Sequence, residues 1–278
     1  MRFMSYNIKA CMRKSHNPKD QSEVPGIMGI AEVIAAQSPD VVALQEVDRW
    51  RLRSGRVDQV RQLGESLGYH YAYAPAFSSL EADGRKGEYG NALLSRLPIL
   101  SWDVVRLWHR SIPFPGEPLW VIEPRCCFIA QLQLIPSGLP DLPVPSQADL
   151  PTQIDSSTQD IPNITVMGLH LSTTEDQRAR QLEHIADLVS ERCDFPLVLM
   201  GDFNAGHEEL NTSRLSGLLT NILAGNPIPT FPEGEAAQTA IDHIFVSRQW
   251  AINAVWVVSD RLGRSDHNPI VADLELRG

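Results

Sequence analysis

Short apolar runs alternate with amphipathic stretches along this chain, and their periods predict an α/β protein. Arg2 to Ile8 reads as a strand ending at polar Asn7. Ile27, Ile30, Ala31 and Ile34 recur at helical spacing, and Ser38-Pro39-Asp40 stops that helix. Val41-Val42-Ala43-Leu44 is the continuous run of a buried strand, with Glu46 at its C-terminal end. Asp58 to Leu67 predicts a second amphipathic helix, closed by Gly68, and Gly90 to Ser95 a strand that Pro98 ends. Phe128 to Leu134 and Ile164 to Leu169 read as neighbouring strands. Glu175 to Arg192 is the clearest helix, with Leu182, Ile185, Ala186 and Val189 as its stripe and acidic residues at its positive end. Leu197 to Met200 is another buried-strand run, presenting Asp202 and Asn204. Ile241 to Val246, Ala254 to Val258 and Ile270 to Leu276 complete the strands.

One stretch breaks the pattern. Residues 136–163 contain six prolines, and Cys126 to Gln177 holds no Lys or Arg. Such a composition buries too little apolar area to offset its ordering entropy, so a flexible insertion is expected within a single domain spanning 1–278. The hydrophobic fraction of 43% suits a sizeable core. No apolar run approaches the length of a membrane span. Arg2-Phe3-Met4 leads directly to Asn7 without room for a signal peptide, and four cysteines show neither paired nor metal-type spacing. A monomer in the reducing cytoplasm is the expectation. The net charge of -10 argues against a nucleic-acid partner, which usually requires a basic footprint. The densest basic stretch, Arg49 to Arg56, reads as a mainly solvated loop with one or two arginines near a substrate.

Five short strings carry the chemistry: Ser5-Tyr6-Asn7-Ile8, Leu44-Gln45-Glu46-Val47, Gly201-Asp202-Phe203-Asn204, Ile241-Asp242-His243-Ile244 and Ser265-Asp266-His267-Asn268. Each puts a carboxylate or amide within or at the end of a β-type run. Their order resembles the exonuclease–endonuclease–phosphatase superfamily of metal-dependent phosphohydrolases. Thr230-Phe231-Pro232 ahead of Asp242, and Arg53-Ser54-Gly55 with Asp58-Gln59, are similar to its bacterial metal-dependent hydrolase branch. The resemblance implies a four-layer α/β/β/α sandwich of the DNase I type, with two mixed sheets and a site where their strand ends converge.

It also implies roles. Glu46 would be the main ligand of Mg²⁺ or Mn²⁺, with Asn7 and Asp266 completing the set; hard oxygen donors suit those ions. Asp202 would orient or deprotonate the attacking water, and Asn204 would donate to a phosphoryl oxygen. His267, held by Asp242, would donate in the transition state, with its pKa raised by that carboxylate. His170 stands where some branches carry Tyr and is a further phosphate donor. Asn91 and Arg53 are candidate substrate contacts. His243 should point away from Asp242 by strand alternation. Glu208 and Glu209 read as solvated.

The expected activity is in-line hydrolysis of a small or lipid-derived phosphodiester or phosphomonoester. A nuclease with the same site is the alternative, and an inactive binding module is a third reading that retention of Glu46, Asp202 and His267 disfavours. Deleting Gln147 to Asp160, a stretch with no aromatic or basic residue, should leave melting temperature and turnover nearly unchanged. A drop of many degrees, or lost turnover, would make the segment structural or a lid.

Overall fold

The structure is a computed structural model and describes residues 1–14, 23–134, 163–259 and 263–277. The proline-rich stretch expected to be an insertion lies, at 136–162, outside the described residues. The first half runs β1 (Arg2–Asn7), a ribbon of β2 (Met12–Lys14) and β3 (Glu23–Pro25), α1 (Ile27–Gln37), β4 (Val41–Arg49), α2 (Gln59–Leu67), β5 (His70–Leu80), β6 (Lys86–Ser95) and β7 (Ile99–Arg106). The second runs β8 (Cys126–Gln133), β9 (Asn163–His170), α3 (Glu175–Ser190), β10 (Leu197–Asp202), the short α4 (His207–Thr212), β11 (Thr220–Asn221), β12 (Asp242–Val246), β13 (Trp250–Val257) and β14 (Ile270–Leu276).

Two six-stranded sheets form, ordered β13-β14-β1-β4-β6-β5 and β11-β12-β10-β9-β8-β7. Each is mixed: β1–β4 and β9–β10 are parallel, among antiparallel neighbours. Alternation along the strands sorts side chains into layers. Phe3, Val41 and Ala43 face Phe128, Val166 and Val198 between the sheets. Met4, Val42 and Leu44 turn the other way, onto Ile30 and Ile34 of α1 and Leu63 of α2. Leu197 and Leu199 lie under Leu182, Ile185 and Val189 of α3. The result is the four-layer α/β/β/α sandwich. Arg178 of α3 pins α4 through two hydrogen bonds of 2.7 Å to Glu209, which is therefore paired rather than merely solvated.

Two strands escape the hydrophobic pattern. β5 and β7 are edge strands, where one row of backbone groups is unpaired and a long apolar run is not needed. β5 also tolerates Pro75, beside a register shift between Pro75 and Phe77. A third difference positions the site. β4 does not end at Glu46 but runs on to Arg49, with a bulge opposite β6 between Leu44 and Val47. Leu44 and Val47 both face the helix-side core, so one extra residue has been inserted. Glu46, at φ 56°, is thereby turned out of the alternation.

Gly201 allows β10 to approach β9 closely: a Cβ there would stand 2.1 Å from the Leu169 carbonyl oxygen. Gly201→Ala should cost on the order of 1–3 kcal/mol through that backbone clash, read as a lowered denaturation midpoint. An unchanged midpoint would mean that the strand pair is not held at this separation.

Candidate active site

Asn7 ends β1 beside Gln45 of β4, and the bulge brings Glu46 next to it. Lys9 N–H donates to Asn7 Oδ1 at 3.1 Å, which fixes the amide's orientation. Its Nδ2 then donates to Glu46 Oε1 and to Asp202 Oδ2, both at 3.0 Å. A buried amide thus joins a carboxylate of the first sheet to one of the second. Asn7 thus turns its N–H groups, not its oxygen, toward the two carboxylates.

The second sheet supplies a row of strand ends. Asp202 on β10 lies in register with His170 on β9 and with Asp242 on β12. Asp202 Oδ1 accepts from Asn204 N–H at 2.9 Å, closing an Asx turn, while Oδ2 faces the cleft. The turn and the site role coexist, because the carboxylate has two oxygens. His267 arrives on the loop before β14: Ser265 Oγ donates to the Asn7 carbonyl at 2.6 Å, and His267 N–H donates to Ser265 Oγ at 3.2 Å. Its Nδ1 donates to Asp242 Oδ2 at 2.8 Å, leaving Nε2 3.7 Å from Asp202 Oδ2. Asp266 meets Lys9 at 3.4 Å on the cleft wall.

His170 meets a donor at each ring nitrogen, of which a neutral imidazole can accept at only one. Arg125 Nη1 lies 3.3 Å from Nδ1, and Nε2 lies 3.4 Å from Asp202 Oδ2. Asn204 Nδ2 lies 3.1 Å from the same Nε2 and donates to the Leu171 carbonyl at 3.0 Å. His243 is turned away, as alternation requires: it is fully buried between Asn221 Nδ2, at 3.1 Å, and the Ala205 carbonyl, at 3.0 Å. Asn91 is not brought to the cleft either. Its buried amide donates to the Cys126 carbonyl at 2.9 Å, linking the sheets.

The cleft of about 460 Å³ between these strand ends contains Glu46, His170, Asp202, Asn204, Asp266 and His267. Arg53 lines it, tied by two hydrogen bonds of 2.8 Å to buried Asp48. Sequence reading missed Arg51, Phe77, Tyr89, Glu123 and Arg125, which also line it, and did not single out Phe231. The Phe231 ring lies tilted against the His267 ring, with centroids 4.9 Å apart. The signal for Arg125 was present as a charged residue directly preceding an apolar strand.

Electrostatics divide the titratable groups. Burial alone would lower His267, but the charge and hydrogen bond of Asp242, then Asp202 and Asp266, outweigh it and raise the imidazole to about 10. His267 is thus held cationic. Burial, the Arg125 charge and His267 together hold His170 well below its ordinary value, so it is neutral. Asp202 is raised to about 7, first by burial and then by Asp242, against the pull of His267, Asn7 and Asn204. Among the described residues, Asp202, Asp242 and His267 place ligand-type atoms within 4.8 Å of one another. His267 Nδ1 is already engaged by Asp242 Oδ2, which leaves Nε2 as its ring nitrogen toward Asp202. Glu46 and Asp266 present only oxygens, the donor type that Mg²⁺ and Mn²⁺ take.

Residues 4–267 match the family model described as the Endonuclease/Exonuclease/phosphatase family. No curated protein matched the chain by sequence. Among solved structures, an endonuclease/exonuclease/phosphatase from Beutenbergia cavernae superposes with a TM-score of 0.70 at 23% identity, covering 100% of this chain and 72% of that one. A mannosyl-6-phosphatase from Bacteroides thetaiotaomicron gives 0.63 at 18%, covering 99% and 100%. TDP2 of D. rerio, complexed with a single-strand DNA product, gives 0.59 at 18%, covering 99% and 98%. No helix among the described residues is long and apolar enough to cross a membrane.

The raised Asp202 yields a stability test. A carboxyl whose folded value exceeds its unfolded value of 3.8 binds its proton more tightly when folded; that contribution is full below 3.8 and lost as pH rises to about 7. In EDTA, Asp202→Asn should therefore melt several degrees above wild type at pH 8, the gap closing toward pH 4. A variant less stable than wild type at pH 8 would contradict the assigned environment.

Proposed function

Since the chain belongs to the Endonuclease/Exonuclease/phosphatase family, whose members hydrolyse phosphoesters, we propose that it is a Mg²⁺- or Mn²⁺-dependent hydrolase of a small or lipid-derived phosphoester. The observation that carries this reading is the Asn7 amide joining Glu46 to Asp202, with His170 and the Asp242–His267 pair on the same cleft. A phosphate ester resists attack because it is anionic, so a hydrolase must offset charge, orient a water and stabilise the leaving oxygen.

Glu46 and Asp266 would hold the cation, with Asn7 fixing Glu46. Bound there, Mg²⁺ or Mn²⁺ would supply charge neutralisation at the phosphoryl and leaving oxygens. Asp202 Oδ2 orients the water and accepts its proton, a task suited to a carboxylate raised to about 7. Protonated His267, steadied by Asp242, donates from Nε2 to the phosphoryl group as negative charge develops. Neutral His170 lies beside Asn204 as a further phosphate contact, its Nε2 3.4 Å from Asp202 Oδ2. Arg53 lies at the rim as a substrate contact.

The mannosyl-6-phosphatase among the neighbours supports a small monoester, and the TDP2 complex with DNA keeps a nuclease as the second reading. The net charge of -10, and the pairing of Arg51 with Glu81 and Arg53 with Asp48, favour the first. A panel of sugar phosphates, phosphoinositides, sphingomyelin, nucleotides and single-stranded DNA, assayed with Mg²⁺, Mn²⁺ and EDTA, decides between them. Turnover should require metal and be greatest on a non-polymeric ester. Full activity in EDTA would overturn metal dependence, and strict preference for DNA would overturn the substrate class.

On the best substrate, Asp202→Asn and His267→Ala should each lower kcat by on the order of 10²–10⁴ with KM little changed. His243→Ala should melt lower, because it vacates a buried, hydrogen-bonded position, yet keep its turnover per folded molecule. Equal kinetic losses for His243→Ala and His267→Ala would sink the Asp242–His267 assignment.

A further inference from the structure

Arg125 has no part in the proposed hydrolysis beyond its contact with His170. It precedes β8, is 6% exposed, and lines the cleft. Its one hydrogen bond runs from Nη1 to His170 Nδ1 at 3.3 Å, and its buried Nε has no partner. Among the described residues it forms no ion pair, unlike the neighbouring arginines: Arg51 Nε lies 2.7 Å from Glu81, and Arg53 is bidentate on Asp48. A guanidinium carries five N–H donors and does not shed its proton. Burying one without a counter-charge is strongly unfavourable. A buried arginine left with most of its donors unspent at the wall of a cleft has the properties of an oxyanion receptor.

An oxyanion on Arg125 would be set apart from the water that Asp202 is proposed to orient. The His170 ring stands between the two positions, with Nδ1 toward Arg125 and Nε2 toward Asp202 Oδ2, 3.4 Å away. The cleft wall also holds the Tyr89 ring, 5.5 Å beneath the Asp48-paired guanidinium of Arg53, which adds an aromatic surface. We propose that Arg125 receives a second phosphate of the substrate, so that the cleft takes an ester whose organic part carries a further phosphate group. This specificity rests on the phosphohydrolase reading and deepens it.

The test is calorimetric titration of the Asp202→Asn protein with glucose 6-phosphate and glucose 1,6-bisphosphate in Mg²⁺, alone and combined with Arg125→Met or Arg125→Lys. The bisphosphate should bind tighter by on the order of tenfold or more. Arg125→Met should erase that advantage and Arg125→Lys keep part of it. Equal affinities, or an advantage that survives Arg125→Met, would overturn the proposal. Arg125→Met alone should raise the melting temperature of the ligand-free protein, because it removes a buried charge that no ion pair holds and that Glu123 offsets only at longer range. A fall would make Arg125 structural and overturn it too. Absence of turnover on any ester would remove the hydrolase reading while leaving these binding results to be read independently.

Discussion

The site depends on one amide. Asn7 Nδ2 is the donor shared by Glu46 and Asp202, carboxylates from different sheets, while its oxygen is committed to Lys9 N–H. Two carboxylates brought this near, one of them buried, would repel each other; a fixed pair of N–H dipoles between them offsets part of that cost. The sheets pack through apolar side chains, which set their spacing but not the relation of one polar atom to another. Asn7 provides that relation. Ser265, bonded to the Asn7 carbonyl, extends it to the loop carrying Asp266 and His267.

Around this amide the chain tolerates unfavourable electrostatics that a purely structural core would avoid. Asp202 is buried beside Asp242, His267 is buried as a cation, and Arg125 is buried without an ion-pair partner. Burial of Asp202 and Arg125 is costly until charge is present or developing in the cleft, whereas the surrounding carboxylates outweigh the cost of burying the His267 cation. Stability is thereby exchanged for readiness, and residues that break the ordinary rules of burial mark the site.

Much of this was legible in the sequence because the chemistry sits at strand ends. Asn7, Asp202 and Asp242 each follow or open an apolar run, so locating the runs located the side chains. The aim of Glu46 was not legible: it depends on the β4 bulge, and one inserted residue leaves no signature in hydrophobic period. Asn91 misled for the opposite reason. Its motif-like setting hid an inward-facing amide whose partner, the Cys126 carbonyl, belongs to the other sheet. Arg125 went unnoticed because its significance is a missing partner, which sequence does not display. The edge strands β5 and β7 lacked the continuous apolar runs that revealed their central neighbours.

We propose a division of labour, in which Glu46 with Asp266 holds a hard cation and the Asp202–Asp242–His267 trio moves protons. Calorimetric titration of Mn²⁺ into wild type, Glu46→Gln and Asp242→Asn tests it most directly. The account predicts that Asp242→Asn binds Mn²⁺ much as wild type does, while Glu46→Gln binds more weakly by on the order of tenfold or more. Loss of binding in Asp242→Asn with Glu46→Gln unaffected would assign the metal to the trio and contradict the account.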